Sequence, residues 1–240
     1  MAASFAFEKA ARRKVAPKLA IQGVSGAGKT YSALRFARGY VGDSGRIAFI
    51  DTENGSASLY ADLTPFDVLN VAPRSFGEGK QAVTAFWWTD FRDAINAAIV
   101  AGYDFLIIDS ASHIWQAALD LKTRIDLNGG NSFVNWGQAG QTFNTVQNLI
   151  LQASIPVLCC FRSKMEYSLE ENDKGKKEPR KVGLAPITRN DAEYDFTTVF
   201  DVARSHIATI AKTRAPVFDD TFEEQITENT GAIFRAWIDS

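Results

Sequence analysis

The feature that most constrains this 240-residue chain is the octapeptide GVSGAGKT at residues 23–30. It satisfies the pattern G-x-x-x-x-G-K-[ST] at every fixed position, between an apolar segment and a helix-forming segment. Glycine has no Cβ, so the backbone of such a loop can wrap closely around a phosphate and aim successive N–H groups at it. The dipole of the following helix adds to the attraction for negative charge. The sequence therefore predicts a phosphate-binding loop.

Two side chains of this loop have predicted roles of their own. Lys29 supplies a positive charge for the β- and γ-phosphates, and the Thr30 hydroxyl is a hard oxygen ligand for Mg²⁺. We therefore expect ATP with Mg²⁺ as the bound nucleotide. The predicted nucleotide-binding residues are Gly23, Val24, Ser25, Gly26, Ala27, Gly28, Lys29, Thr30 and Tyr31.

Alternating apolar and helical segments predict the fold class. Strands are predicted at residues 18–22, 46–51, 66–72, 105–110, 155–161 and 206–212, and helices at 5–14, 30–40, 89–101 and from about 136 to 153. This alternation is typical of an α/β fold with a mainly parallel central sheet flanked by helices. We expect one domain over residues 1–240, with a basic N-terminal segment at 1–17. Loops are predicted at residues 73–80 and 163–181.

Carboxylates follow two of the predicted strands. Asp109 ends a continuous apolar strand, where a carboxylate can orient Mg²⁺, although a strand-capping role is the alternative. Asp51 and Glu53 end the strand after the phosphate loop. They could contact a ribose, act as a general base that polarises the attacking water, or be solvated turn acids. The Lys-Thr pair of the loop argues against the ribose-binding fingerprint.

Two groups of basic residues could contact other molecules. The pair Lys212 and Arg214 follows a late strand, and its position predicts a cationic finger in a neighbouring subunit's site, with solvated charges as the alternative. The segment 163–181 carries bases that could follow a nucleic-acid backbone, with a solvated hairpin or flap as the alternative. The candidate DNA-binding residues are Lys164, Lys174, Lys176, Lys177, Arg180 and Lys181.

Composition excludes several classes of protein. The formal net charge of -2 excludes a chain-wide basic coat for nucleic acid, so any such contact must be local. The two cysteines, Cys159 and Cys160, are adjacent in the sequence, so they cannot form a disulfide that cross-links distant parts of the chain. This favours a reducing, cytoplasmic location. Apolar runs long enough for a membrane span are absent, and the first 18 residues lack the apolar core of a signal peptide. We therefore expect no membrane contact.

At these residues the chain resembles the RecA-type branch of P-loop ATPases. The resemblance rests on the segments GVSGAGKT, RIAFIDTENG and FLIIDS. It implies a RecA-like P-loop NTPase fold in which Lys29 and Asp109 serve the reaction and Glu53 is the hydrolytic base. It also implies that Arg162 is the polar sensor after the next strand, where glutamine is common in RecA proteins.

The same resemblance extends to the contacts with other molecules. It implies that the loop at about 163–188 touches single-stranded DNA. The Lys-x-Arg finger is similar to that of the DnaB-helicase, KaiC and bacterial RadA relatives, which implies a homo-oligomeric ring or filament.

More closely, the chain resembles small phage-encoded AAA-type ATPases grouped with the Sak-type recombination mediators and annealing proteins. This resemblance rests on GxSGxGKTYSALR, NWGQ, the long segment from FRSKMEY to LAPITR, and EYDFTTVFD. It implies slow Mg-ATP hydrolysis coupled to single-stranded DNA in phage recombination or replication, within the host cytoplasm. A phage single-strand-binding protein is an expected partner.

Two other functions remain open from the residues alone. One is a nucleotide-switched assembly factor that binds a protein partner and no DNA. The other is a P-loop kinase of small molecules, which would want several arginines in a lid. The segment 163–181 has one arginine, Arg180, so the kinase hypothesis ranks low.

Overall fold

The computed structural model describes residues 9, 15–76, 83–127, 129, 131–171, 177–189 and 192–240, with the backbone alone for 165–171 and 177–184. The strands are β1 (Lys18–Gly23), β2 (Ile47–Asp51), β3 (Asp67–Asn70), β4 (Arg74–Phe76), β5 (Val83–Ala85), β6 (Phe105–Asp109), β7 (Val157–Glu171), β8 (Lys177–Pro186), β9 (Thr198–Val202), β10 (Ala208–Thr213) and β11 (Glu223–Glu224). The helices are α1 (Lys29–Val41), α2 (Trp88–Val100), α3 (Ser112–Leu127), α4 (Ser132–Gln152) and α5 (Glu228–Asp239).

The centre of the described molecule is a mainly parallel sheet with the strand order β11-β10-β9-β1-β7-β6-β2-β3. The strands from β9 to β3 are parallel to one another, and β10 and β11 are antiparallel at one edge. Parallel strands bring their carboxyl ends to the same edge, so Gly23 lies opposite Arg162 and Asp51 lies opposite Asp109. The predicted α/β class with a mainly parallel sheet flanked by helices is confirmed.

The sheet separates two apolar layers. Successive residues of a strand point to opposite faces, so the buried neighbours Cys159 and Cys160 belong to different layers. Helices α2, α3 and α4 cover the Cys159 face, and α1 and α5 cover the Cys160 face. The strands whose carboxyl ends meet at one edge are therefore buried on both faces.

Helices α1 and α5 approach each other backbone to backbone. A Cβ placed on Gly39 would lie 1.8 Å from the carbonyl oxygen of Glu228, and one on Gly231 would lie 2.0 Å from that of Phe36. Both distances are too short for a carbon and an oxygen atom, so glycine is required at both positions. The two glycines fix the start of α5 against the middle of α1.

The structure corrects several sequence predictions. The segment 163–181 is no loop, because β7 continues beyond the sheet and pairs with β8 as an antiparallel hairpin. Apolar residues alternate with polar ones in the sequence at Met165, Tyr167 and Leu169, a strand signal that the sequence analysis missed among the surrounding charged residues. The predicted loop at 73–80 includes strand β4, which pairs with β5. Apart from Lys9, the predicted helix at 5–14 lies outside the described residues.

The sequence analysis also missed helices α3 and α5 and strands β5, β9 and β11. The buried stripe of α3 consists mainly of small residues such as Ala117 and Ala118, which weakens its apolar periodicity. Within the described part of the chain, every helix is too short or too polar to traverse a lipid bilayer.

The contact between α1 and α5 predicts the effect of a single methyl group. Gly39→Ala should lower the free energy of unfolding by about 1–3 kcal/mol, because the new Cβ overpacks a backbone contact. Urea unfolding measures this change. The control is Gly137→Ala on α4, where a Cβ meets no atom within 4 Å. That variant should be neutral or more stable, since alanine favours a helix over glycine. Equal losses in both variants would contradict the packing argument.

Candidate nucleotide-binding site

The phosphate loop connects β1 to α1, and its backbone conformation and close contacts require all three of its glycines. Gly26 and Gly28 have φ values of 78° and 87°, which side chains rarely tolerate. A Cβ on Gly23 would lie 2.5 Å from the carbonyl oxygen of Val202 on the neighbouring strand. The loop therefore takes its tight course only with these glycines. The result is a concave backbone at the N-terminus of α1, as an anion nest requires.

Lys29 lies across the mouth of this loop. Its Nζ donates hydrogen bonds to the carbonyl oxygens of Gly23 (3.1 Å) and Val24 (3.0 Å). These are neutral acceptors, so a phosphate oxygen would be a stronger partner for the same ammonium. The cleft beside Lys29 has a volume of about 500 Å³. Its other charged lining residues are Glu53, Asp109 and Arg162.

Thr30 and Asp109 are in direct contact at the floor of the cleft. The Thr30 hydroxyl donates a hydrogen bond of 2.6 Å to Oδ2 of Asp109. Burial raises the pKa of the Asp109 carboxyl to about 6, and the charge of Glu53 adds to this, while the Thr30 hydrogen bond and Lys29 oppose it. The carboxylate is therefore mostly ionised at neutral pH and protonated in mild acid.

The Thr30–Asp109 pair fits the donor set of a magnesium ion. Both groups are hard oxygen ligands at the carboxyl edge of the sheet. Clusters of three or more His, Cys, Asp or Glu are absent from the described residues. The Thr30–Asp109 pair supplies two oxygen ligands, and Mg²⁺ takes one or two protein ligands and fills its shell with phosphates and water.

Asp51 has a structural role rather than a chemical one. Its carboxylate is 1% exposed and accepts backbone hydrogen bonds from Glu53 (2.6 Å) and Ala57 (2.8 Å). These bonds fix the chain where it leaves β2 and enters the 3₁₀ turn Ser56–Tyr60. The ribose contact and the solvated turn acid are therefore wrong for Asp51. The consequence is that Glu53, two residues later, projects into the cleft.

Glu53 is held by Arg162. Both Nε and Nη2 of Arg162 contact Oε1 of Glu53, at 2.9 and 2.8 Å. Arg162 is the last residue of β7 that pairs with β1, and the β7–β8 hairpin begins at the next residue. Its backbone N–H donates to Ser112 Oγ (3.0 Å), and its carbonyl accepts from the Ile187 N–H (2.6 Å). The structure thus brings Lys29, Thr30, Glu53, Asp109 and Arg162 into one cleft.

Both histidines contact residues in or next to the site. His206 has a φ of 67°, and its Nδ1 lies 3.0 Å from the carbonyl oxygen of Ala27 in the phosphate loop. His113 stacks on Phe86 (4.4 Å between ring centres), and its Nδ1 lies 2.6 Å from Thr52 Oγ1. Burial and the nearby Arg162 lower the pKa of His113 to about 4, so its ring is neutral at neutral pH. Sequence reasoning missed these contacts, because nothing local marks a residue that packs against a distant loop.

Lys212 and Arg214 lie near the amino ends of the parallel strands, whereas the cleft lies at their carboxyl ends. Thr213, between them, pairs with Thr198 at the start of β9, which is parallel to β1. Lys212 Nζ donates to the carbonyl oxygens of Glu193, Tyr194 and Phe196, and Arg214 Nη2 donates to that of Tyr194. The structure therefore does not bring this pair to its own subunit's cleft. For Lys212, the alternative of a freely solvated charge is wrong.

The candidate DNA-binding residues are distributed along the hairpin. Lys164 is exposed on β7, one residue beyond the part of that strand that lines the cleft. Lys177, Arg180 and Lys181 lie on β8. Lys174 and Lys176 lie outside the described residues.

The raised pKa of Asp109 predicts a pH dependence of magnesium-assisted nucleotide binding. Only the ionised carboxylate attracts Mg²⁺, so the gain in ATP affinity from added Mg²⁺ should decline as the pH falls through about 6. The measurement is ATP affinity with and without Mg²⁺ between pH 5 and 8. Asp109→Asn is the control, because the titration of the nucleotide itself is common to both proteins. Identical profiles for the two proteins would contradict the assignment.

Comparison with known proteins places these features in a family. A search of curated proteins finds no match to this chain. A family model described as an AAA domain matches residues 16–235, which include the phosphate loop, the cleft residues Glu53, Asp109 and Arg162, and the β7–β8 hairpin. AAA domains are P-loop ATPase domains that bind nucleotide, usually with Mg²⁺. Because the match covers most of its length, the chain belongs to the AAA domain family of P-loop ATPases.

Proposed function

We propose that the protein hydrolyses Mg-ATP and couples the reaction to single-stranded DNA, as a recombination mediator or annealing-type ATPase in phage recombination or replication. The observation that carries the ATPase part is the cleft in which Lys29, the Thr30–Asp109 pair and Glu53 converge. The coupling is supported by Arg162, which joins this cleft to the root of the β7–β8 hairpin.

Each residue of the cleft has a distinct task in hydrolysis. Lys29 exchanges its two carbonyl partners for β- and γ-phosphate oxygens. Thr30 and Asp109 would hold Mg²⁺, which when bound neutralises part of the phosphate charge. The water oxygen forms a bond to the γ-phosphorus while the bond to the bridging oxygen of ADP breaks. Glu53 accepts the proton that the water loses.

Arg162 holds Glu53 in place, because its Nε and Nη2 both contact Oε1 of that carboxylate. A γ-phosphate carries more negative charge than one carboxylate and offers Arg162 a competing partner. Arg162 would then stabilise the phosphate, and Glu53 would be released to the water. Movement of the hairpin on binding DNA acts on the same arginine, because its backbone belongs to β7.

The expected assembly is a homo-oligomeric ring or filament. In such an assembly Lys212 and Arg214 of one copy would face the cleft of the next copy. The pair lies near the amino ends of the parallel strands, remote from its own subunit's cleft at their carboxyl ends, and this position supports the arrangement. A phage single-strand-binding protein is a further expected partner.

One observation favours the assembly factor that binds a protein and no DNA. The end of α3 and the start of α4 carry exposed apolar side chains, with Leu127 67% and Phe133 85% exposed. Val134 and Trp136 belong to the same exposed group. An exposed apolar patch of this kind is typical of protein contacts.

Replacement of the proposed base separates binding from turnover. Glu53→Gln keeps the shape of the side chain but cannot accept a proton, so ATP binding should persist while hydrolysis falls about 10²–10⁴-fold. Turnover is measured as phosphate release, and binding by titration calorimetry. A loss of less than about threefold would assign the base to another residue.

The DNA coupling is tested by charge removal on the hairpin. Replacing Lys164, Lys177, Arg180 and Lys181 with alanine should weaken single-stranded DNA binding and remove the stimulation of hydrolysis by DNA. Each lost phosphate contact should flatten the slope of log affinity against log salt concentration by about 0.7. The control removes two exposed arginines on the sheet-covering helices, Arg92 and Arg235. An unchanged slope, or no DNA binding by the native protein, favours the assembly factor.

A further inference from the structure

A second cavity opens beside the phosphate loop. Its volume is about 360 Å³, within the range of roughly 300–1,000 Å³ that is typical of small-molecule pockets. It shares Gly26, Gly28 and Tyr60 with the larger cleft that holds Lys29, so a nucleotide could extend from one into the other.

The walls of this cavity suit a flat aromatic ring. Tyr31 follows the phosphate loop directly, and its ring meets that of Tyr60 edge to face, with 6.2 Å between the ring centres. The buried Ile226 provides an apolar surface, and the polar residues Ser32, His206 and Gln225 line the same cavity. Apolar and aromatic walls with a few polar groups suit a nucleobase, because its faces are apolar and its edge forms hydrogen bonds.

The chain next to Gln225 is held in place by the packing of α5, while Gln225 itself is exposed. The residue lies between β11 and α5, and its neighbour Ile226 is 2% exposed within the core. Glu228, at the start of α5, forms an ion pair with Arg35 of α1, with contacts of 2.8 and 2.9 Å to Arg35 Nε. Arg35 lies one helical turn after Tyr31 and stacks over its ring at 5.6 Å. Together with the glycine contact between α1 and α5, these bonds set the position of Gln225 relative to Tyr31.

We propose that Gln225 is a specificity-determining residue that selects adenine over guanine in this second cavity. The proposal rests on the proposed function, because it assumes a nucleoside triphosphate in the neighbouring cleft. A glutamine amide can accept a hydrogen bond from the adenine 6-amino group and donate one to N7. Guanine presents acceptors at both positions, so the amide oxygen of Gln225 would face a second oxygen.

The test measures binding rather than turnover. The affinities of the β,γ-imido analogues of ATP and GTP are compared by titration calorimetry in the presence of Mg²⁺. The native protein should prefer the adenine analogue by about tenfold or more, the usual size of discrimination by a bidentate contact. Gln225→Ala should reduce the preference to about threefold or less by weakening the adenine analogue alone.

Two controls make the result specific. Asn229→Ala changes an exposed amide one turn further along the chain and should leave the preference unchanged. Purine riboside triphosphate lacks the 6-amino group but keeps N7, so Gln225→Ala should weaken its binding less than it weakens binding of the adenine analogue. An unchanged melting temperature of Gln225→Ala confirms that the fold is intact.

The possible failures are distinguishable. If Gln225→Ala retains the full preference for adenine, or if the native protein binds both analogues equally, Gln225 does not read the base and this inference is wrong. In both cases binding that is lost in Lys29→Ala leaves the proposed function standing. If neither analogue binds the native protein, the proposed function itself fails.

Discussion

The parallel register of four neighbouring strands is the constraint on which the rest of the site depends. Strands β1, β7, β6 and β2 run in the same direction and end at one edge of the sheet. Each strand therefore delivers its next residues to the same place, although these residues are far apart in the sequence. The phosphate loop follows β1, Arg162 ends the sheet portion of β7, Asp109 ends β6, and Glu53 follows β2. A shift of one residue in any of these pairings would turn the side chain to the other face of the sheet.

Buried contacts keep this edge in register. Asp51 pairs opposite Asp109 in the sheet, and its carboxylate holds the backbone of Glu53 and Ala57. The Thr52 hydroxyl accepts a hydrogen bond of 2.7 Å from the backbone N–H of Ser110, which follows Asp109. The bond between Thr52 and Ser110 links the ends of β2 and β6 directly. The distance between the proposed base and the proposed magnesium ligands is therefore set by buried hydrogen bonds, not by exposed loops.

The sequence predicts the parts of the site whose chemistry is local. A glycine-rich loop, its Lys-Thr pair and a carboxylate at the end of an apolar strand can each be recognised within about ten residues. The contact between Glu53 and Arg162 spans 109 residues, and that between His206 and Ala27 spans 179. Such pairs depend on which strands become neighbours, and no local pattern states that order. The β7–β8 hairpin was mistaken for a loop because charged residues outnumber the apolar residues Met165, Tyr167 and Leu169 that alternate in its sequence.

The contact between Glu53 and Arg162 is strong enough to orient the two side chains and weak enough to be exchanged. Their side chains are 32% and 46% exposed, and ion pairs with such access to water contribute only about 0–1 kcal/mol. A bound triphosphate brings several negative charges into the same cleft, so it can take Arg162 from Glu53 at little cost. The buried Thr30–Asp109 contact differs, because Asp109 is 4% exposed and has fewer alternative partners. In the proposed cycle the exposed pair therefore changes partners with each nucleotide, while the buried pair keeps the ligands of the magnesium ion in place.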